Sequence, residues 1–195
     1  MMEQSDEIVI PLSPKKSLLM IFGATVFVGL GIFFMVSPST FVEQASPITV
    51  FIVGLVSVLF SGLGIIVMFR KLFSENAAMG LIINEQGIIN NSDASWTGLV
   101  LWSDIQQIQV GNIEGNKFLL IILKNPQDYI AKVASPLARK GMEMNYRYVG
   151  TPISISSNTL QISFKKLYQL IMDRFEAHLK SVEGDKYVPI VRDYF

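Results

Sequence analysis

The amino-acid sequence predicts a membrane-spanning α-helical hairpin joined to a small α+β domain built on antiparallel strands. Three observations predict it. Two apolar runs, 17–36 and 48–69, are 20 and 22 residues long and contain no Asp, Glu, Lys, Arg or His. At 1.5 Å rise per residue each forms a helix of about 30 Å, the thickness of a bilayer's hydrocarbon core. From residue 80 the apolar pattern becomes that of short strands, and the amphipathic stretch 163–180 then returns to helical spacing.

The flanking charges orient the hairpin. Lys15 and Lys16 precede the first run, Arg70 and Lys71 follow the second, and the connecting segment 37–47 carries only Glu43. Basic residues stay on the cytoplasmic side, so both termini are expected in the cytoplasm with the short loop outside. The first run is too long for a signal-peptide core and no small-residue cleavage site follows it, which reads as an uncleaved anchor. Neither run carries an ionisable group of the kind that a transport path requires, so the hairpin reads as an anchor rather than a conduit.

Small residues recur in both runs. Gly54, Ser57, Ser61 and Gly64 stand at i, i+3, i+7 and i+10, and Ala24 and Gly31 stand seven apart. Such residues let helix backbones approach closely in lipid. They serve either packing of the two spans on each other or pairing of the second span with another subunit in a homo-oligomer.

Length and charge bound the rest. The chain has 195 residues, enough for the hairpin and one domain of ordinary size. Its formal net charge is zero, and from residue 70 onward 14 Lys and Arg face 12 Asp and Glu. That balance argues against nucleic acid as a partner, and none is expected, since such binding rests on neutralising phosphates. There is no cysteine, which removes disulfides, thiolate nucleophiles and cysteine-based zinc sites and fits a reducing compartment. The expected organisation is an N-terminal tail 1–16, the hairpin 17–69, a connector 70–79, a cytosolic domain 80–182 and a C-terminal tail 183–195.

Taken in order, residues 1–14 are polar and acidic around Ile8-Val9-Ile10. They read as a disordered tail, with an added edge strand as the alternative. The connector from Arg70 to Gly80 reaches about 35 Å at full extension, which keeps the domain near the bilayer. Residues 81–83 and 88–89 flank Asn84-Glu85-Gln86-Gly87, a hairpin signal in which Gly87 suits a left-handed position. A polar loop, 90–98, contains Trp96. A short strand at 99–102, a turn at Ser103-Asp104 and a strand at 105–110 follow. After a turn at 111–116, the unbroken apolar run 118–123 has the pattern of a central strand.

Asn125-Pro126 and Ser135-Pro136 each read as a helix start, with a capping residue followed by proline at the first helical position. In the second of these helices Leu137, Met144 and Tyr148 share one face, while Arg139, Glu143 and Arg147 form a charge ladder on the other. Gly150 and Pro152 end it. Ile153 and Ile155 alternate with serines in a half-buried strand. The final helix starts near Ser163 and sets Phe164, Leu167, Leu170, Ile171, Phe175 and Leu179 on one face, to cover a sheet. Residues from 183 onward carry no clear element.

Several short strands, the Trp102-Ser103-Asp104-Ile105 step and a final amphipathic helix together resemble bacterial pleckstrin-homology-like domains. In that fold a strongly bent antiparallel sheet is closed at one end by a C-terminal helix. The whole chain resembles a bacterial family of two-span inner-membrane proteins of unassigned function. The stretches that carry this likeness are Gly80-Leu81-Ile82-Ile83 with Gly87-Ile88, Trp102-Ser103-Asp104-Ile105, Lys124-Asn125-Pro126 and Thr151-Pro152-Ile153-Ser154-Ile155-Ser156. The likeness implies a bacterial inner-membrane location and brings no catalytic residues. The helical stretch 125–149 departs from the minimal fold as an insertion between strands.

No Walker loop, dinucleotide fingerprint or nucleophile elbow is present, so no cofactor is expected. His178 is the single histidine and reads as a structural residue at the edge of the last helix's apolar face. Trp102 and Asp104 read as a core aromatic and a turn cap. The candidate contact residues are Lys132, Arg139, Lys140 and Arg147, a basic set positioned to meet anionic lipid or a partner. The alternative is a solvated helix face whose charges are answered by Glu143 and Asp128. The functional expectation is a membrane-anchored module that contacts a protein partner, its own copies or lipid headgroups; a membrane-surface enzyme is the competing class.

Overall fold

The computed structural model describes residues 7–41, 45–73, 79–92, 98–113, 115–184, 187–188 and 190. Trp96 and the connector residues 74–78 lie outside them. The chain divides into two compact units, one formed by Ser13–Ala77 and the other by Met1–Leu12 with Ala78–Phe195.

The first unit is a helical hairpin of α1 (Pro14–Val36) and α2 (Pro47–Leu72), separated by a short 3-10 turn at Pro38–Phe41. Ser13 caps α1 by accepting a hydrogen bond from Lys16 N at 3.4 Å, and Pro14 fills the first helical position. At the start of α2, Ser46 Oγ accepts from Thr49 N at 3.2 Å. Both helices are long and apolar enough to cross a membrane. Each runs a few residues beyond the expected boundaries, so Lys15, Lys16, Arg70 and Lys71 sit within the helix ends.

The two helices meet at glycines. A Cβ placed on Gly31 would stand 2.8 Å from Gly54 O, and one placed on Gly54 would stand 2.5 Å from Gly31 O. Nearby, Ser57 Oγ donates to Phe27 O at 3.2 Å. Gly54 and Ser57 therefore pack the spans on each other, the first of the two uses expected for the small-residue stripe. Gly62 and Gly64 have open space around them. Most large apolar side chains of the hairpin point outward, Phe22, Leu59 and Phe60 among them, while Val50 is buried.

The second unit contains two antiparallel sheets and a C-terminal helix. The first sheet runs in the order β1 (Ile8–Ile10), β2 (Leu81–Ile83), β3 (Gly87–Asn90), β4 (Leu99–Leu101). Strand β1 corrects the reading of residues 1–16 as a tail. Ile8 pairs with Ile83 and Ile10 with Leu81. Beyond the strand, Leu12 bridges Leu160, and Gln161 donates to Pro11 O and Leu12 O at 3.0 and 3.2 Å. Ile10 and Leu12 are buried. The alternative reading, an added edge strand, is the one the structure shows, with the β-branched run burying alternate residues.

Asn84 shapes the β2–β3 turn by accepting from both Gln86 N and Gly87 N at 3.0 Å. Gly87 does not adopt a left-handed conformation, contrary to expectation. Glycine is needed there because a Cβ would collide with the Val100 carbonyl of the neighbouring strand.

The second sheet has β6 (Asn116–Leu123) between β5 (Ile105–Ile113) and β7 (Ile153–Ser156). Leu119, Leu120, Ile121 and Leu123 of β6 are buried, as its apolar run predicts. Strand β5 extends to Ile113, past the expected turn at 111, and Gly115 at φ +82° closes the hairpin. Between β6 and β7 lie α3 (Pro126–Ala131) and α4 (Pro136–Val149). The last helix, α5 (Phe164–Glu183), buries Leu167, Tyr168, Ile171, Met172 and Phe175. Phe175 lies 6.2 Å from Trp102, ring centroid to centroid. The Trp102 indole is buried and donates to Asn84 O at 3.0 Å, so that residue is the core aromatic expected.

Candidate functional site

The segment from α3 to α4 carries the four basic candidates, and the structure separates them. Tyr129 of α3 is 2% exposed. Its hydroxyl donates to Asp104 Oδ2 at 2.6 Å and accepts from Leu101 N at 3.4 Å. Burial, reinforced by the Asp104 hydrogen bond, pushes the phenol from 10.0 up to about 12. Asp104 is thus more than a turn cap, because it fixes α3 to the end of the first sheet. Lys132 follows the helix with its Nζ 4.9 Å from the centre of the Tyr129 ring, a cation–π contact.

Arg139 is also engaged within the domain. Its Nη2 and Nε donate to Val133 O at 2.9 and 3.3 Å, clasping the loop between α3 and α4. Lys140 and Arg147 are exposed and have no hydrogen-bond or ion-pair partner among the described residues. Glu143 does not answer either of them, although it stands within helical reach of both.

Helix α4 is well formed. Ser135 Oγ accepts from Ala138 N at 3.4 Å, Pro136 opens the helix, and Gly150 at φ +78° ends it. Arg147 in the last turn complements the helix dipole. The orientation of the helix is fixed from its inner side. Met142 is fully buried, and Asn145 Nδ2 donates to Thr151 O at 3.1 Å and Ser154 Oγ at 3.4 Å. Thr151 is itself buried, donating to Ile121 O and accepting from Ile153 N at 3.2 Å, which ties the end of α4 to β6 and β7.

The face grouped as apolar in the sequence consequently points to solvent. Leu137 is 80% exposed, Met144 48% and Tyr148 81%. Sequence reasoning found this stripe but missed that it is uncovered. The signal was a second stripe at Ala138, Met142, Asn145 and Val149, which carries no charged residue and whose Met142 is fully buried.

His178 lies half-buried on α5, and its backbone carbonyl accepts from Ser181 Oγ at 2.7 Å. No group of three His, Cys, Asp or Glu able to hold a metal ion occurs among the described residues. Comparison with known protein families, with curated proteins and with solved structures finds no match. The functional reading therefore rests on this geometry.

Proposed function

We propose that this chain is a two-span bacterial inner-membrane protein whose cytosolic, pleckstrin-homology-like domain is a contact module. The observation that carries the reading is the outward face of α4, where Leu137, Met144 and Tyr148 stand exposed beside Lys140 and Arg147. A domain with an adequate core does not need to expose three large apolar side chains on one fixed helix face, and such patches mark interaction surfaces. The outward apolar sides of α1 and α2 support a lipid environment, and the basic helix ends against the single Glu43 of the loop support cytoplasmic termini. Two antiparallel sheets followed by α5 support the pleckstrin-homology-like reading. In that reading the hairpin is inserted between β1 and β2, and α3–α4 between β6 and β7.

The partner classes are a protein, a second copy of the chain, including pairing through the open part of the second span, or lipid headgroups. Two measurements in cells test the proposal. A thiol reagent that does not cross membranes should label Thr40→Cys in intact cells and Ala177→Cys only after permeabilisation; the reverse pattern refutes the orientation. A photo-crosslinking side chain at Tyr148 should form adducts that one at Ala177 does not. Absence of any adduct at Tyr148 would remove α4 as a contact surface.

A further inference from the structure

The chemistry of the α4 surface narrows its partner, on the reading above that the domain is a contact module held at a membrane. Lys140 stands three residues after Leu137 and four before Met144, and Arg147 stands three after Met144. Residues three and four apart are surface neighbours on a helix, so both cations border the apolar stripe. Within 136–149 Arg139, Lys140 and Arg147 face only Glu143, so the helix is basic although the chain as a whole is neutral. An apolar stripe edged by Lys and Arg, with a tyrosine whose hydroxyl end stays in water, is the composition of a helix lying in the headgroup zone.

We propose that α4 docks along its length on an anionic bilayer surface. In this arrangement Leu137, Met144 and the Tyr148 ring enter the boundary between headgroups and acyl chains, while Lys140 and Arg147 meet lipid phosphates. The face is presented without rearrangement, because Met142 and Asn145 hold the inner side of the helix. Charge complementarity selects lipid over a second copy, since two α4 faces brought together would set Lys140 and Arg147 against their own kind. Bilayer lipid is also the anionic surface nearest to a domain covalently joined to two membrane-crossing helices.

The test uses the full-length chain, which has no cysteine. Met144→Cys carries an environment-sensitive fluorophore, and Ala177→Cys on the outer side of α5 carries the same label as a control. In proteoliposomes rich in phosphatidylglycerol and containing a lipid-borne quencher, the label at 144 should be quenched about twofold or more relative to that at 177. The excess should vanish in pure phosphatidylcholine, in about 1 M salt, where screening shortens to about 3 Å, and in the Lys140→Glu/Arg147→Glu chain. Equal quenching at both positions overturns the proposal, and so does excess quenching that survives charge reversal. Protection of the 144 label that rises with protein concentration in detergent assigns the face to a second copy. That result overturns lipid docking and leaves the contact-module reading standing. Release of the chain from membranes by alkaline carbonate would instead overturn the anchored reading itself.

Discussion

Helices α4 and α5 belong to the same unit, and both alternate apolar and charged residues with helical period, yet they use that pattern in opposite ways. Helix α5 turns Leu167, Ile171, Met172 and Phe175 into the core. Helix α4 buries Met142 and leaves Leu137, Met144 and Tyr148 in solvent. The difference teaches that periodicity establishes that a helix has two faces, and only the neighbouring surface decides which is covered. Next to β7, Met142 occupies the inner side, and Asn145 adds hydrogen bonds to Thr151 and Ser154. The stripe of Leu137, Met144 and Tyr148 is left outside.

Truncation should break the symmetry between the two helices most sharply. Leu167→Ala removes a fully buried side chain and should cost about 2–5 kcal/mol in denaturant unfolding of the full chain in detergent. A loss below 1 kcal/mol would mean that α5 is not core. The hairpin offers a parallel contrast between covered and open positions. Gly54→Leu places a side chain against the Gly31 carbonyl and should cost about 1–3 kcal/mol. Gly64→Leu, which meets open space, should leave thermal unfolding unchanged.

A smaller effect concerns how the α3–α4 segment is fastened. Tyr129→Phe deletes the hydrogen bond to Asp104 and should cost about 1 kcal/mol near neutral pH. The folded chain holds the Tyr129 proton more tightly than the unfolded chain does, since the phenol is raised from 10.0 to about 12. Its contribution is therefore complete below about pH 10 and is lost as the pH rises towards about 12. Alkaline unfolding should show that decline in the native chain and lack that part of it in the Tyr129→Phe variant. Smallest of all, Leu137→Ser should change stability by no more than about 0.5 kcal/mol, because its side chain makes little of the core.

Much of the fold was legible because the relevant signals are local. Charge-free runs of helix length marked α1 and α2, and a capping serine with a following proline marked α4. An unbroken apolar run marked β6 as a central strand. What escaped depends on distant partners. Strand β1 is separated from β2 by the whole hairpin, so no local pattern shows that Ile8 meets Ile83. Gly87 suits a turn by its local sequence, but its requirement is set by Val100 on the next strand. At the candidate surface, the four cations share a segment in sequence. Which remain available depends on Tyr129 beneath Lys132 and on the Val133 carbonyl that holds Arg139. Lys140 and Arg147 could be distinguished from the other two only in three dimensions.

The most direct test of the α4 surface replaces its outer stripe at once, as Leu137→Ser/Met144→Ser/Tyr148→Ser, and measures melting temperature and docking to phosphatidylglycerol-rich proteoliposomes on one preparation. If the stripe is a contact surface, the melting temperature stays within about 3 °C of the native chain while docking is lost. A fall of about 10 °C or more, or docking that persists unchanged, would contradict the account.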